Sequence, residues 1–420
     1  MFLIYQILIS ILIILSPIII FFRIIKKKED IFRFKEKFCF FSKKRMQGKL
    51  IWFHGSSVGE IMSIIPLVKE YDKKKTIDQI LITSSTLSSS RILKKYNFRK
   101  VVHQFFPIDH YFFSKKFLNF WKPTVAIFIE SEIWPSMFKS IKKNKIKLIL
   151  LNARITKKSF LRWKKFVNFS REIYQLIDIA YPQNLETKKY LNKLDVKNIK
   201  TIGNLKFIQN PFNRQNKLNK NLIHHFQKKR LWTSASTHPS EEVFVGEAHK
   251  ILKVKFKKII SVIIPRHIER VNSIVNQLEQ MGLNIVVHSS KKKLNDQTDI
   301  YLVDTYGEAE KFYKISPTVF LGGSIVSKGG QNPLEPVRHG SKILHGPNYQ
   351  NFKDIYKLLN KMNVSKMIKS PRDLISNISF VRNMSAAKKI KSFGEKIFRD
   401  TIKDLDKIIL NEIKKTKILG

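Results

Sequence analysis

After residue 48 the chain alternates short apolar runs with amphipathic stretches. The runs Leu50–His54, Gln79–Thr83, Lys100–Phe106, Val125–Ile129, Lys147–Leu151, Ile177–Ala180 and Lys200–Ile202 read as strands. Helical stretches fall between most of them. Strands that alternate with helices predict a parallel sheet covered on both faces. A second set of runs follows at Leu231–Ser234, Ile259–Ile264, Asn284–Val287, Ile300–Val303, Thr318–Leu321 and Lys342–Leu344. Between the two sets, Asn210–Gln227 is polar and strand-free and reads as a crossover. The expected fold class is α/β: two doubly wound, Rossmann-like domains in tandem, ending in a Lys- and Ile-rich helix.

The N-terminus breaks this pattern. Phe2 to Phe22 is almost wholly apolar, with Gln6, Ser10 and Ser16 as its polar interruptions. At about 1.5 Å per residue it is as long as a bilayer core is thick. Arg23, Lys26, Lys27 and Lys28 follow at once, and no basic side chain precedes the run. The positive-inside rule then puts the rest of the chain in the cytoplasm. A cleaved signal peptide would carry a basic leader and a small-residue cleavage site, and neither is present, so an uncleaved anchor is expected. Pro17 leaves open a kinked helix that dips into one leaflet instead of crossing. Phe32, Phe34, Phe38, Phe40 and Phe41, interleaved with Lys and Arg, extend the run as an interfacial segment.

Composition narrows the function. At 420 residues and 43% hydrophobic, the chain has room for two or three domains with large cores. Its one cysteine, Cys39, excludes an internal disulfide framework and a thiolate metal cluster, and suits a reducing compartment. Its histidines are scattered and show no metal-ligand spacing. The net charge of +47 implies an anionic partner or a surface set against anionic lipid. Lysines run along the whole chain, as at 26–28, 73–75 and 291–293, and part of the excess is a compositional drift toward Lys, Ile, Asn and Phe. No arginine-rich, aromatic-interleaved segment is present, so nucleic acid is not an expected partner.

In doubly wound sheets, ligands bind beyond the carboxyl ends of the strands, and two such domains form a cleft. The polar clusters fall at those ends: HGSSVGE after Leu50–His54, TSST after Gln79–Ile82 and ESEIWP after Val125–Ile129. The second half contributes SASTH, PRH, YGE and the stretch Gly322–Pro336, GGSIVSKGGQNPLEP. That stretch has two glycine pairs and then a helix start at Asn332, Pro333 and Glu335. A glycine turn before a helix N-terminus suits a phosphate. It suits equally a tight turn with an ordinary capping box. Glu60, after Gly59 at a strand-to-helix turn, reads either as a cleft carboxylate or as a first-turn Glu stabilising the helix dipole.

Taken in order, these clusters resemble the Kdo (3-deoxy-D-manno-octulosonic acid) transferases of lipopolysaccharide assembly. The resemblance rests on IWFHGSSVGE (51–60), IESEIWPS (129–136), LLNARIT (150–156), IGNLKF (202–207), SASTHPSEE (234–242), IPRHIER (264–270), YGEAEKFY (306–313), FLGGSIVSKGGQNPLEP (320–336) and HGPNYQNF (345–352). It implies a GT-B fold with a central cleft behind a membrane-anchor helix. The implied domains are an anchor (1–25), an acceptor-binding half (26–208), a nucleotide-sugar half (209–390) and a helical tail (391–420). It further implies inverting transfer of Kdo from CMP-Kdo to the lipid A precursor lipid IV-A, at the inner membrane beside anionic lipid, with no metal and no cofactor. By position in the motifs, Glu60 is the general base, and Glu130 and Lys206 support the transition state. Pro265, Arg266, Tyr306, Gly307, Glu308, Asn332, Pro333, Leu334 and Glu335 contact the nucleotide. Ser236, Thr237 and His238 are placed near the phosphate.

Three positions depart from the family pattern. Gln331 stands in place of a His, Tyr306 in place of a Met, and TSSTLSSSR in place of a threonine turn that ends in Gly. Gln can hydrogen-bond but carries no charge. Glu132 lies two residues from Glu130, and in a strand both would share a face, so spacing does not separate them. The fold alone leaves two other readings open: a GT-B enzyme for a different nucleotide sugar, and a non-catalytic protein that binds anionic lipid.

Overall fold

The computed structural model describes residues 1–209, 218–290 and 292–418. The chain divides into two compact units, Met1–Pro211 with Gly394–Gly420, and Phe212–Phe393.

The first unit is built on six parallel strands: β1 (Leu50–His54), β2 (Gln79–Ser84), β3 (Val101–Phe105), β4 (Val125–Ile129), β5 (Lys147–Ala153) and β6 (Ile179–Pro182). They lie in the order β3-β2-β1-β4-β5-β6. This is the doubly wound order, in which the chain reverses direction beside the first strand. Every residue of β1, β2 and β4 is buried. Helices therefore cover both faces, and this is why these strands read as unbroken apolar runs. Trp52 anchors the core, with its ring centroid 4.9 Å from that of Phe117 and 5.0 Å from that of Phe128. Truncating such a side chain costs about 3–5 kcal/mol.

The helix Phe2–Ile25 belongs to this unit. Its shielded positions are Phe2, Tyr5, Gln6, Ile9, Ser10, Ile13, Ser16, Ile20, Arg23 and Ile24, a stripe at three- and four-residue spacing along its whole length. The remaining apolar side chains, from Leu3 to Phe22, are exposed. The helix runs through Pro17 without a break.

The second unit holds β7 (Arg230–Thr237), β8 (Ile259–Pro265), β9 (Ile285–Val287), β10 (Ile300–Leu302), β11 (Thr318–Leu321), β12 (Lys342–His345) and β13 (Ser365–Met367). All run parallel, in the order β13-β12-β11-β7-β8-β10-β9. Trp232, Phe320 and Leu344 lie at the centre of its core.

Four details differ from the sequence reading. Lys200–Ile202 is not a strand: only an isolated bridge, Ala180 to Ile199, forms there. The chain then turns at Gly203, whose φ is +134°, and carries Lys206 toward the site. Strand β13 went unread because its polar sequence, SKM, gives no apolar signal. In the crossover, residues 210–217 lie outside those described, and Lys220–Gln227 is helix. Finally, residues 391–420 do not stand apart. The described part belongs to one helix, Met384–Ile418, and from Gly394 onward it clusters with the first unit. There Asp404 accepts hydrogen bonds from Tyr181 and Lys200, and a Cβ at Gly394 would lie 2.1 Å from the Phe207 carbonyl.

Candidate active site

The first unit gathers its polar groups where β1 and β4 end side by side. Three residues separate β1 from the helix Val58–Lys73, the last of them Ser57, its N-cap. Ser57 Oγ accepts from the Glu60 amide at 3.3 Å, and Glu60 Oε2 accepts from the Ser57 amide at 3.1 Å. Glu60 thus closes a capping box. The capping reading of this residue is realised in the structure, and the backbone of Ser57 and Ser56 answers its carboxylate only in part. Gly55 lets the stem of Glu60 come close, since an added Cβ there would sit 3.1 Å from that of Glu60. The half-buried Glu60 has its pKa raised to about 7, first by burial and next by the charge of Glu132, with a smaller push from Glu130.

Glu130 and Glu132 do not share a strand face. Strand β4 ends at Ile129, and Glu130 adopts a left-handed backbone with φ +54°. A non-glycine residue held in this region costs on the order of 1–3 kcal/mol, and such residues cluster at functional sites. The turn sends the two carboxylates to different partners. Glu130, buried, pairs with Lys206 Nζ at 2.8 Å and accepts from Asn152 Nδ2 at 3.4 Å. Asn152 is itself left-handed, φ +54°, and its Oδ1 accepts from the Leu205 amide at 3.0 Å. The GNLKF loop is thereby tied to β5, and its lysine is placed on Glu130.

Glu132 Oε2 accepts from Ser56 Oγ at 2.6 Å, Trp134 Nε1 at 2.9 Å and His54 Nε2 at 3.0 Å. Behind His54, Nδ1 lies 2.9 Å from Thr83 Oγ1, which accepts from Trp52 Nε1. A neutral imidazole with its proton on Nε2 satisfies the whole chain of bonds. Burial opposes ionisation of Glu132, but the bonds from His54, Ser56 and Trp134 outweigh it and hold its pKa below the usual carboxylate range. The two neighbouring carboxyls are driven in opposite directions, the arrangement that separates a proton acceptor from a fixed charge. Sequence reasoning missed the supporting set of His54, Ser56, Trp134 and Asn152. Its only signal was their place in HGSSVGE, ESEIWP and LLNARIT.

In the second unit, the candidate nucleotide residues follow the carboxyl ends of β8, β10 and β11, which run parallel and so end on the same side of the sheet. Pro265 ends β8, and the Arg266 amide donates to the Thr237 carbonyl at 3.0 Å, leaving the side chain exposed. Tyr306 is exposed and donates to Glu269 Oε1 at 3.1 Å. Gly307 has φ +88°, and Glu308 pairs with Lys311 at 2.8 Å. Asn332 Oδ1 accepts from the Leu334 amide at 3.1 Å, Pro333 is the N-cap, and the helix Leu334–Val337 is a single turn. Glu335 keeps an exposed surface.

The glycine turn itself is not open to a phosphate. Glu241, fully buried, accepts from the amides of Gly323 (2.7 Å), Ser324 (3.1 Å), Ile325 (3.0 Å) and His238 (3.0 Å). The chain's own carboxylate fills the positions an anion would take. Gly322 is required by close approach: a Cβ there would lie 2.5 Å from the Ser236 carbonyl oxygen. Beside this turn Thr237 Oγ1 and His238 Nε2 are buried with no hydrogen-bond partner among the described residues.

Two doubly wound parallel sheets in one chain are the architecture of the GT-B class of two-domain proteins. A known structure of that fold, UDP-GlcNAc 2-epimerase from Neisseria meningitidis bound to UDP-GlcNAc, is 11% identical with a TM-score of 0.53, covering 87% of this chain and 100% of that one. A family profile described as 3-Deoxy-D-manno-octulosonic-acid transferase (kdotransferase) matches residues 32–209. The 3-deoxy-D-manno-octulosonic acid transferase of Rickettsia bellii is 34% identical over 380 residues, 90% of each chain. A probable mitochondrial counterpart in Arabidopsis thaliana is 30% identical over 83% of this chain and 80% of its own. The chain belongs to the Kdo transferase family, and it is a glycosyltransferase of lipopolysaccharide synthesis.

Proposed function

We propose that the chain transfers Kdo from CMP-Kdo to lipid IV-A with inversion, at the cytoplasmic face of the inner membrane and without a metal or other cofactor. The acceptor hydroxyl oxygen attacks the anomeric carbon of Kdo, its proton passes to Glu60, and the bond to CMP breaks with its electron pair leaving on the phosphate. The observation that carries this reading is the placement of Glu60 beside two carboxylates that hold other partners, where burial and their charge push its pKa up to about 7. A carboxylate so tuned accepts a proton near neutral pH, whereas one with an ordinary value is a weak base. Lys206, oriented by Glu130, supplies positive charge for the carboxylate of Kdo or the departing phosphate. Glu132 is the fixed anion that keeps Glu60 basic. Pro265, Arg266, Tyr306–Glu308 and Asn332–Glu335 are assigned to the nucleotide, with Arg266 offering its planar fork. Thr237 Oγ1 and His238 Nε2, buried and without a partner among the described residues, supply further polar atoms at the same strand ends.

The test is incubation with CMP-Kdo and lipid IV-A, followed by mass analysis of the product. Addition of one or more Kdo residues is expected. Turnover with another nucleotide sugar alone, or equal competition by UDP against CMP, would replace the substrate assignment.

A further inference from the structure

The apolar helix Phe2–Ile25 has the length of a bilayer span, but its contacts do not suit one. Its first turns are held by the first unit. Tyr5 Oη donates to Asp109 Oδ2 at 2.6 Å, and Gln6 Nε2 donates to Ser136 Oγ at 2.6 Å. Gln6 Oε1 accepts from the Tyr111 amide at 3.0 Å, and Ser10 Oγ lies 3.4 Å from His110 Nε2. Lys139 Nζ sits 3.7 Å from the centroid of the Phe2 ring. Asp109, 2% exposed, also accepts from the amides of Ser136 and Met137 at the start of the helix Pro135–Lys143. At the other end Arg23 pairs with Glu29, which also binds Lys37. The chain then rejoins the same region, where Phe38 stacks edge-on to Phe113. Ser16 and Ile20, in the middle, are 7% and 8% exposed.

A helix whose first turns are hydrogen-bonded to a folded domain, and whose last turn pairs with the segment leading back into that domain, does not cross a bilayer unless the domain enters with it. Asp109 and Ser136 belong to a folded α/β unit whose irregular backbone is not satisfied in hydrocarbon. We therefore propose that this helix lies in the plane of an anionic leaflet, as a strap whose outer face enters one monolayer. The apolar face offered to the lipid includes Leu3, Ile7, Ile11, Ile14, Ile18 and Phe21. Charge favours anionic headgroups: Lys26, Lys27 and Lys28 are exposed at one end of the strap, Lys139 and Lys143 lie near the other, and the chain carries a net charge of +47. The inference rests on the membrane reading proposed above and fixes the pose it leaves open.

The test uses the full chain with Cys39→Ser and a single new cysteine at Leu3, Leu12 or Phe21, labelled with an environment-sensitive dye. The protein is bound to the outside of phosphatidylglycerol-containing vesicles carrying quenchers at defined acyl depths. All three labels are expected at one shallow depth. Deep quenching at position 12 together with position 3 facing the vesicle lumen would overturn the pose. So would a stable dimer that hides all three labels and ignores vesicles. The pair Tyr5→Phe and Gln6→Leu should move the label at position 3 deeper; an unchanged depth would show that these contacts do not hold the strap. Transfer of Kdo to detergent-dispersed lipid IV-A is measured in parallel. Active protein with no vesicle binding defeats the membrane pose alone, and in-plane labels with no transfer defeat the proposed activity alone.

Discussion

Glu60 and Glu241 occupy the same station in the two units. Each stands in the first turn of the helix that follows the unit's first strand. Their environments are opposite. Glu241 is fully buried and saturated by five backbone amides. Glu60 is half-buried, is answered only by the backbone of Ser57 and Ser56, and faces the charges of Glu132 and Glu130. In the second unit the carboxylate is a structural pin that shapes the glycine turn. In the first, desolvation and like charge, incompletely answered by hydrogen bonds, leave a group that wants a proton. One fold position thus yields a strut or a base according to how many donors the local turn provides.

The comparison breaks most sharply under matched substitutions. Glu60→Gln preserves a capping oxygen but removes the base, and the rate of transfer should fall about 10²–10⁴-fold with little change in melting temperature. Near-normal turnover in a mass-resolved product assay would remove the base assignment. Glu241→Gln should do the reverse, costing about 2–4 kcal/mol in denaturant titrations because a buried anion bound by several amides is lost. CMP affinity would fall only as far as the glycine turn loosens. Within the first unit, Lys206→Met leaves the buried carboxylate of Glu130 without its cation. A loss of about 10²–10³-fold in kcat is expected, comparable to removing one charge-stabilising donor. Isothermal titration with CMP should show nucleotide affinity little altered.

The subtlest test is the pH profile. Glu60 acts ionised, so kcat/KM should rise with pH through an apparent pKa of about 7 and then level off. Its carboxyl binds a proton more tightly in the folded chain than in the unfolded one. The stability it contributes is therefore full below the unfolded carboxyl pKa and is lost as pH rises through about 7. Glu132→Gln removes a repelling charge and should shift the activity midpoint toward acid. A midpoint that stays put would assign the shift to burial and Glu130 instead.

Much of this was legible in the sequence. The apolar runs at Leu50–His54 and Val125–Ile129 are buried on both faces, so only a covered parallel sheet could accept them. The polar clusters that hold Glu60 and Glu130 follow those two strands, whereas Lys206 came only from the resemblance of GNLKF to the family, since the strand read before it does not form. Other features depended on contacts far apart in the chain. Spacing left Glu130 and Glu132 alike until a left-handed residue turned them apart. The glycine turn offered itself to a phosphate until Glu241, more than eighty residues earlier, filled it. Residues 391–420 read as a tail until Asp404 met Tyr181 and Lys200.

The N-terminal helix marks the same boundary. Its length and apolar content follow from local sequence alone, because helix rise and side-chain hydrophobicity are short-range properties. Which stripe of it meets protein, and whether its ends share one side of a membrane, depend on Tyr5 finding Asp109 across a hundred residues of chain. Periodicity carries the intrinsic preferences of neighbouring residues. Hydrogen-bond partners and field strengths exist only once distant segments are brought within a few ångströms of each other.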